Sequence, residues 1–148
     1  GQVCAVMTAD CLPLLLCDRE GSRITAAHAG WRGLHAGVIE ASLSRYDDTG
    51  RVMAWLGPAI GPAAFEVGNE VEEAFLERSR QHANAFRRID DEHLMCDIYQ
   101  LARNVLARAG VEAVYGGDRC TFSEAQDFYS YRRDGETGRM ATLVWKQA

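Results

Sequence analysis

The sequence predicts a single domain over residues 1–148 in which strands and helices alternate, and three observations lead there. Apolar runs of strand length recur along the chain, segments of helical periodicity lie between them, and the composition is that of an ordinary globular protein. With 47% hydrophobic and 25% charged residues, 148 residues are enough to bury one core.

Val3 to Thr8 and Leu12 to Cys17 are near-continuous in apolar residues and predict strands. Asp18-Arg19-Glu20-Gly21-Ser22 reads as a hairpin loop into a third strand, Arg23 to His28. Pairing across that loop sets Leu12 opposite a residue near Ala27 and brings Cys11 and His28 together at the open end. From Arg32 to Tyr46, Leu34, Val38 and Ala41 recur at helical spacing, with Ile39 and Leu43 offset, which predicts one helix starting just after Gly30. Arg51 to Leu56 reads as a strand ending in the turn Gly57-Pro58-Ala59-Ile60-Gly61-Pro62. A helix follows near Asn69 to Ser79 with Val71, Phe75 and Leu76 inward. The clearest helix is capped by Asp97, keeps Ile98, Leu101, Ala102, Val105, Leu106 and Ala109 on one face, and stops at Gly110. Glu112 to Tyr115 and Met140 to Trp145 are the last strands.

The net charge of −5 provides no basic footprint for a phosphate backbone, which argues against nucleic-acid binding. Lys146 is the only lysine, so arginine carries nearly all the positive charge. Five cysteines, at 4, 11, 17, 96 and 120, form neither a C-x-x-C nor an even framework, which points to a reducing cytoplasm. No apolar stretch is long enough to span a bilayer, and no membrane association is expected. The chain opens on Gly1-Gln2-Val3 without an initiator Met and is expected to be a fragment.

Cys11, in Thr8-Ala9-Asp10-Cys11-Leu12-Pro13, and His28, in Ala27-His28-Ala29-Gly30-Trp31-Arg32-Gly33, are the most informative residues. A thiolate beside an imidazole suits either a transition metal or a base-activated nucleophile; a buried thiol packed beside a hydrogen-bonded His is the plain alternative. The helix start at Gly30-x-x-Gly33 offers free N–H groups to an anion, though a tight strand-to-helix turn explains the glycines equally well. Arg132 and Arg133, beside Tyr131, form a second cluster able to hold a phosphate or stack on a base, or to be a solvated turn balanced by Asp134 and Glu136. His35, His82 and His93 read as exposed or hydrogen-bonded surface residues, and Cys4 and Cys17 as core filler. The signatures of zinc deaminases, zincins and Gly-x-Ser-x-Gly hydrolases are absent.

Six blocks occur in order: T-A-D-C-L-P, A-H-A-G-W-R-G-L, G-P-A-I-G-P followed by F-E-V-G, D-I-Y-Q-L-A-R, G-G-D-R-C-T and S-Y-R-R-D-G-x-T-G-R-M-A. Together they resemble the YfiH family of laccase-domain, or polyphenol oxidase, proteins, from Gly1 to Trp145. The resemblance is to the C-terminal portion of the family domain, without its upstream segment. It implies an α+β fold of mixed β-sheets flanked by helices, layered α/β/β/α, with which the alternating strands and helices read above agree. It further implies phosphorolysis of adenosine, inosine and methylthioadenosine, with adenosine deaminase activity. The family's metal is held by His, Cys and His, usually zinc, with copper for the oxidase activity. By motif Cys11 and His28 match two of the ligands, and the first His lies upstream in family members. Cys11 and His28 are thus the catalytic and metal residues; Arg32, Arg132 and Arg133 are candidates for the attacking phosphate. Asp10 is placed to orient His28, to carry a proton, or to make a capping or supporting hydrogen bond. The partners expected are purine nucleosides and phosphate, with the oligomeric state left open. Alternatives are a copper-dependent oxidase and, from resemblance to the catalytic domain of cytotoxic necrotizing factor toxins, a metal-free Cys/His thiol hydrolase.

Overall fold

The structure, a computed structural model, describes residues 2–147. Its centre is a four-stranded mixed sheet in the order β3-β2-β4-β8, from β2 (Leu12–Asp18), β3 (Ile24–Ala29), β4 (Val52–Leu56) and β8 (Ala113–Gly116). The hairpin β2–β3 and the pair β2–β4 are antiparallel, whereas β4–β8 is parallel. The first strand, β1 (Val3–Thr8), pairs antiparallel with the last, β9 (Met140–Trp145), in a separate ribbon. A small third sheet joins β5 (Glu66–Gly68), β7 (His93–Cys96) and β6 (Phe86–Arg88). The fold is therefore α+β with several sheets and helices, as the sequence predicts.

Alternation along the central strands puts Leu12, Leu14 and Leu16 of β2, and Val52, Ala54 and Leu56 of β4, on one buried face. Helices α2 (Val38–Leu43) and α4 (Ile98–Arg108) bring Ile39, Leu43, Leu101 and Val105 to the same core. Each such side chain withdrawn from water contributes about 1.5–3 kcal/mol before conformational entropy is counted. The Asp97 carboxylate caps α4 by accepting from Gln100 N at 2.9 Å. On the opposite face Leu15, Trp55 and Tyr115 stand in register, with Trp55 and Tyr115 exposed. Between that face and the ribbon lies an apolar hollow of about 490 Å³ lined by Thr8, Leu15, Trp55, Phe128 and Leu143.

Four expectations are corrected. The single helix over Arg32 to Tyr46 is two, α1 (Trp31–His35) and α2, because Gly37 takes φ +89° and breaks the run. Arg78 of α3 (Asn69–Arg78) seals the break, donating to Leu34 O at 3.0 Å and to His35 O, and pairing with Glu40 at 2.7 Å. The hairpin register sets Leu12 opposite Ala29 rather than Ala27. A shift of two keeps every side chain on its face, so Cys11 and His28 still meet. Cys4 and Cys17 are partly exposed rather than core filler. His82 is wholly buried instead of lying at the surface, edge-on to Phe75 at 5.4 Å and beside Asn104. All five cysteines are free thiols. Among the described residues no helix is long and apolar enough to cross a membrane.

Candidate active site

Cys11 ends the bend between β1 and β2, and His28 is the penultimate residue of β3. Gly30, the next residue but one, lets them converge. An alanine methyl at position 30 would lie 2.7 Å from Cys11 Sγ and 3.8 Å from His28 Nε2, so both donor atoms face the space that the missing methyl leaves. The backbone at Gly30 has φ −62° and ψ 163°, which any residue adopts; contact, not conformation, calls for glycine there. At Gly33 a methyl would press to 3.1 Å of His28 O. The Gly-x-x-Gly spacing thus serves close packing of α1 against β3, and α1 has only five residues.

Burial, and next the neighbouring Asp10 carboxylate, pushes the Cys11 thiol above its ordinary range, with Arg139 opposing more weakly. A thiol in that setting stays protonated at neutral pH unless a cation takes the place of its proton. A thiolate and an imidazole suit zinc or copper in kind. They are too few in number, since zinc takes at least three protein ligands, and among the described residues no three His, Cys, Asp or Glu stand together to hold a metal.

Cys11 opens into a cleft of about 250 Å³ walled by Trp31, Phe65 and Tyr131, with Arg32 and Arg132 also lining it. Arg32 is exposed, its guanidinium stacked 4.3 Å over the Trp31 ring. Arg132 donates to Glu66 O at 2.8 Å and lies 5.5 Å over Phe65. The cleft thus joins a soft donor, two guanidiniums and aromatic walls, a setting for an anion attached to a flat apolar group. The larger hollow behind Trp55 holds neither donor.

Arg133 departs from expectation. Its five N–H groups go to Thr121 O, Phe122 O, Phe128 O and both Asp134 carboxylate oxygens at 2.8–2.9 Å. It is a staple for the 121–134 loop and does not reach the cleft, because no donor is left for a phosphate. Asp10 makes no bond to His28. Its carboxylate accepts from Thr121 Oγ1 at 2.6 Å and from Arg132 N at 2.7 Å, which is the supporting role. Sequence reasoning placed Tyr131 beside the arginines but missed the Phe65 wall and the influence of Arg139 on Cys11. Both residues lie within the quoted blocks, yet nothing local says that either meets Cys11.

Against known proteins, residues 1–147 match the family model for multi-copper polyphenol oxidoreductase laccase. The chain is 58% identical over 146 residues to the purine nucleoside phosphorylase YfiH of Escherichia coli, a match covering 98% of this chain and 60% of that protein. It is 54% identical to the purine nucleoside phosphorylase PA4543 of Pseudomonas aeruginosa, over 99% of this chain and 62% of the relative. Neisseria meningitidis protein NMB0706 superposes with a TM-score of 0.96 at 51% identity, over 99% of this chain and 61% of that one. The chain spans about three-fifths of the length of these relatives. With almost the whole chain matched by the family model, and at these identities, the chain belongs to the multi-copper polyphenol oxidoreductase laccase family, that of the YfiH proteins.

Proposed function

We propose that the whole protein is a purine nucleoside phosphorylase, acting on adenosine, inosine and methylthioadenosine, with adenosine deaminase as a second activity. The observation that carries this reading is that Cys11, Arg32 and Arg132 line one aromatic-walled cleft, with His28 facing the same point as the Cys11 sulfur. The names of the relatives in Escherichia coli and Pseudomonas aeruginosa support it. Arg32 and Arg132 hold inorganic phosphate, and Trp31, Phe65 and Tyr131 receive the purine. A phosphate oxygen forms a bond to the anomeric carbon as the bond from that carbon to the base nitrogen breaks. The base leaves with the electron pair and takes up a proton. The guanidiniums orient the nucleophile and offset its charge, and the walls exclude water, which would otherwise compete.

Cys11 and His28 are two donors of a metal site, zinc before copper, that takes its remaining ligand from beyond these residues. Burial raises the Cys11 thiol, so a metal-free thiol hydrolase would need His28 to take its proton. Five free thiols are in keeping with a cytoplasmic enzyme.

The test is release of hypoxanthine and ribose 1-phosphate from inosine in phosphate buffer. It is run on this chain and on a version carrying the further two-fifths of length found in the relatives. The longer protein is expected to be active and the 148-residue chain to have negligible activity. In the longer protein Arg132→Ala is expected to raise KM for phosphate by about tenfold, the loss of one charged hydrogen-bonding partner. A longer protein that releases no base from any of the three nucleosides overturns the reading. Phenol oxidation that appears with copper and vanishes with zinc would favour the oxidase instead.

A further inference from the structure

We infer that Asp10 is a positioning residue that ties the donor side of the cleft to its arginine side, holding the Arg132 backbone in place relative to Cys11. The inference rests on reading the cleft as a phosphate and nucleoside site. Among the described residues Asp10 is the one non-glycine residue with positive φ, at +89°. Such a backbone is uncommon for a residue with a side chain and persists only where its surroundings over-determine it.

Those surroundings are chain segments remote in sequence. Asp10 O accepts from Ile60 N at 2.9 Å, which pins the bend to the 57–62 turn. One carboxylate oxygen accepts from Thr121 Oγ1, a fully buried hydroxyl, at 2.6 Å; the other accepts from Arg132 N at 2.7 Å, in the first turn of α5 (Tyr131–Asp134). Asp10 is only 8% exposed, both of its carboxylate oxygens are held by neutral donors, and the Arg133 guanidinium acts on it through space. Because Cys11 is the next residue, the kink at Asp10 sets where the sulfur emerges. The bond to Arg132 N sets where the guanidinium begins, and its far end is held by Glu66 O and Phe65. One residue therefore fixes the spacing between the sulfur and the guanidinium. The 121–134 loop keeps the Arg133 staple when this tether is cut, so the effect of cutting it is local.

The mechanism separates two substitutions. Asp10→Asn keeps both bonds, its carbonyl accepting from Arg132 N and its amide donating to Thr121 Oγ1, and asparagine tolerates positive φ. Asp10→Gly keeps the backbone and loses both bonds. Two readouts apply to each variant: hydrogen exchange of the Arg132 amide, which needs no substrate, and phosphorolysis kinetics in the longer protein. In Asp10→Gly the Arg132 amide should exchange at least about tenfold faster. KM for phosphate should rise by about tenfold with kcat within about threefold, the split expected when orientation of a binding group is lost. Asp10→Asn should match wild type in both.

Protection at Arg132 and an unchanged KM in Asp10→Gly would overturn the inference. So would an Asp10→Asn variant that keeps the amide protected yet loses activity, since charge or proton transfer would then be the role of Asp10. Exchange responding as stated while no variant, nor the wild type, releases base would leave the tether standing and remove the phosphorylase reading.

Discussion

Replacing Gly30 by alanine sets a methyl 2.7 Å from Cys11 Sγ, well inside van der Waals contact, and 3.5 Å from Cys11 Cβ, which is ordinary contact. The clash is thus with one atom. Overpacking of this kind costs about 1–3 kcal/mol when it cannot relax. Cys11 can relieve it by turning its sulfur away from position 30 and so out of the space it shares with His28 Nε2. In a Cys11→Ala background the offending atom is gone and the backbone at position 30 is one that alanine adopts without strain, so the same change should be neutral or stabilising by about 0.4–1 kcal/mol through the unfolded chain. The two substitutions should therefore couple by about 2 kcal/mol in a double-mutant cycle read by urea unfolding at constant m. Iodoacetamide labelling of Cys11 in Gly30→Ala provides the second readout, and a changed rate marks a turned sulfur. Additive stabilities with an unchanged labelling rate would refute the placement of sulfur and imidazole about Gly30.

Gly37→Ala should destabilise by about 1–2 kcal/mol in urea unfolding, since a methyl there meets only ordinary contacts and the cost is that of a left-handed backbone. Arg133→Ala should lower the urea midpoint well beyond Arg132→Ala, because it strands the carbonyls of Thr121, Phe122 and Phe128; equal midpoints would contradict the staple. Burial, then Arg108 and Arg78, holds the His82 imidazole below its ordinary range. The unfolded chain therefore takes up a proton near pH 6.5 that the folded chain refuses until lower pH, and stability falls as pH drops below about 6.5. Urea midpoints between pH 7.5 and 5 should show that slope in the wild type and a shallower one in His82→Phe.

Much of the fold is legible because its strands and longest helix carry their signals locally. Leu12, Leu14 and Leu16 alternate into the core, and Asp97 and Gly110 bracket α4. Where signal fails, the cause is non-local. Strands β5, β6 and β7 have three or four residues each, too short for any period; β6 and β7 make a short hairpin, and β5 exists because it pairs with β7 more than twenty residues further along. The break at Gly37 is hidden because Leu34, Val38 and Ala41 keep helical spacing across it. Arg78, which ties the two ends, lies 41 residues further along.

The site divides in the same way. Cys11 and His28 belong to one hairpin, so their meeting follows from the loop between them and survives an error of two in register. The arginine side has no such local logic. Arg132 and Arg133 are adjacent and chemically equal, and on a helical turn neighbours point in different directions. Which of them faces the cleft is decided by where Phe65, Glu66, Thr121 and Phe128 are found. Those contacts give Arg132 a single anchoring carbonyl over an aromatic ring and enclose Arg133 in carbonyls and a carboxylate. A variant at 132 therefore interrogates the chemistry and a variant at 133 the fold. An activity loss at Arg133 alone would say nothing about phosphate, however well the doublet resembles an anion site in sequence.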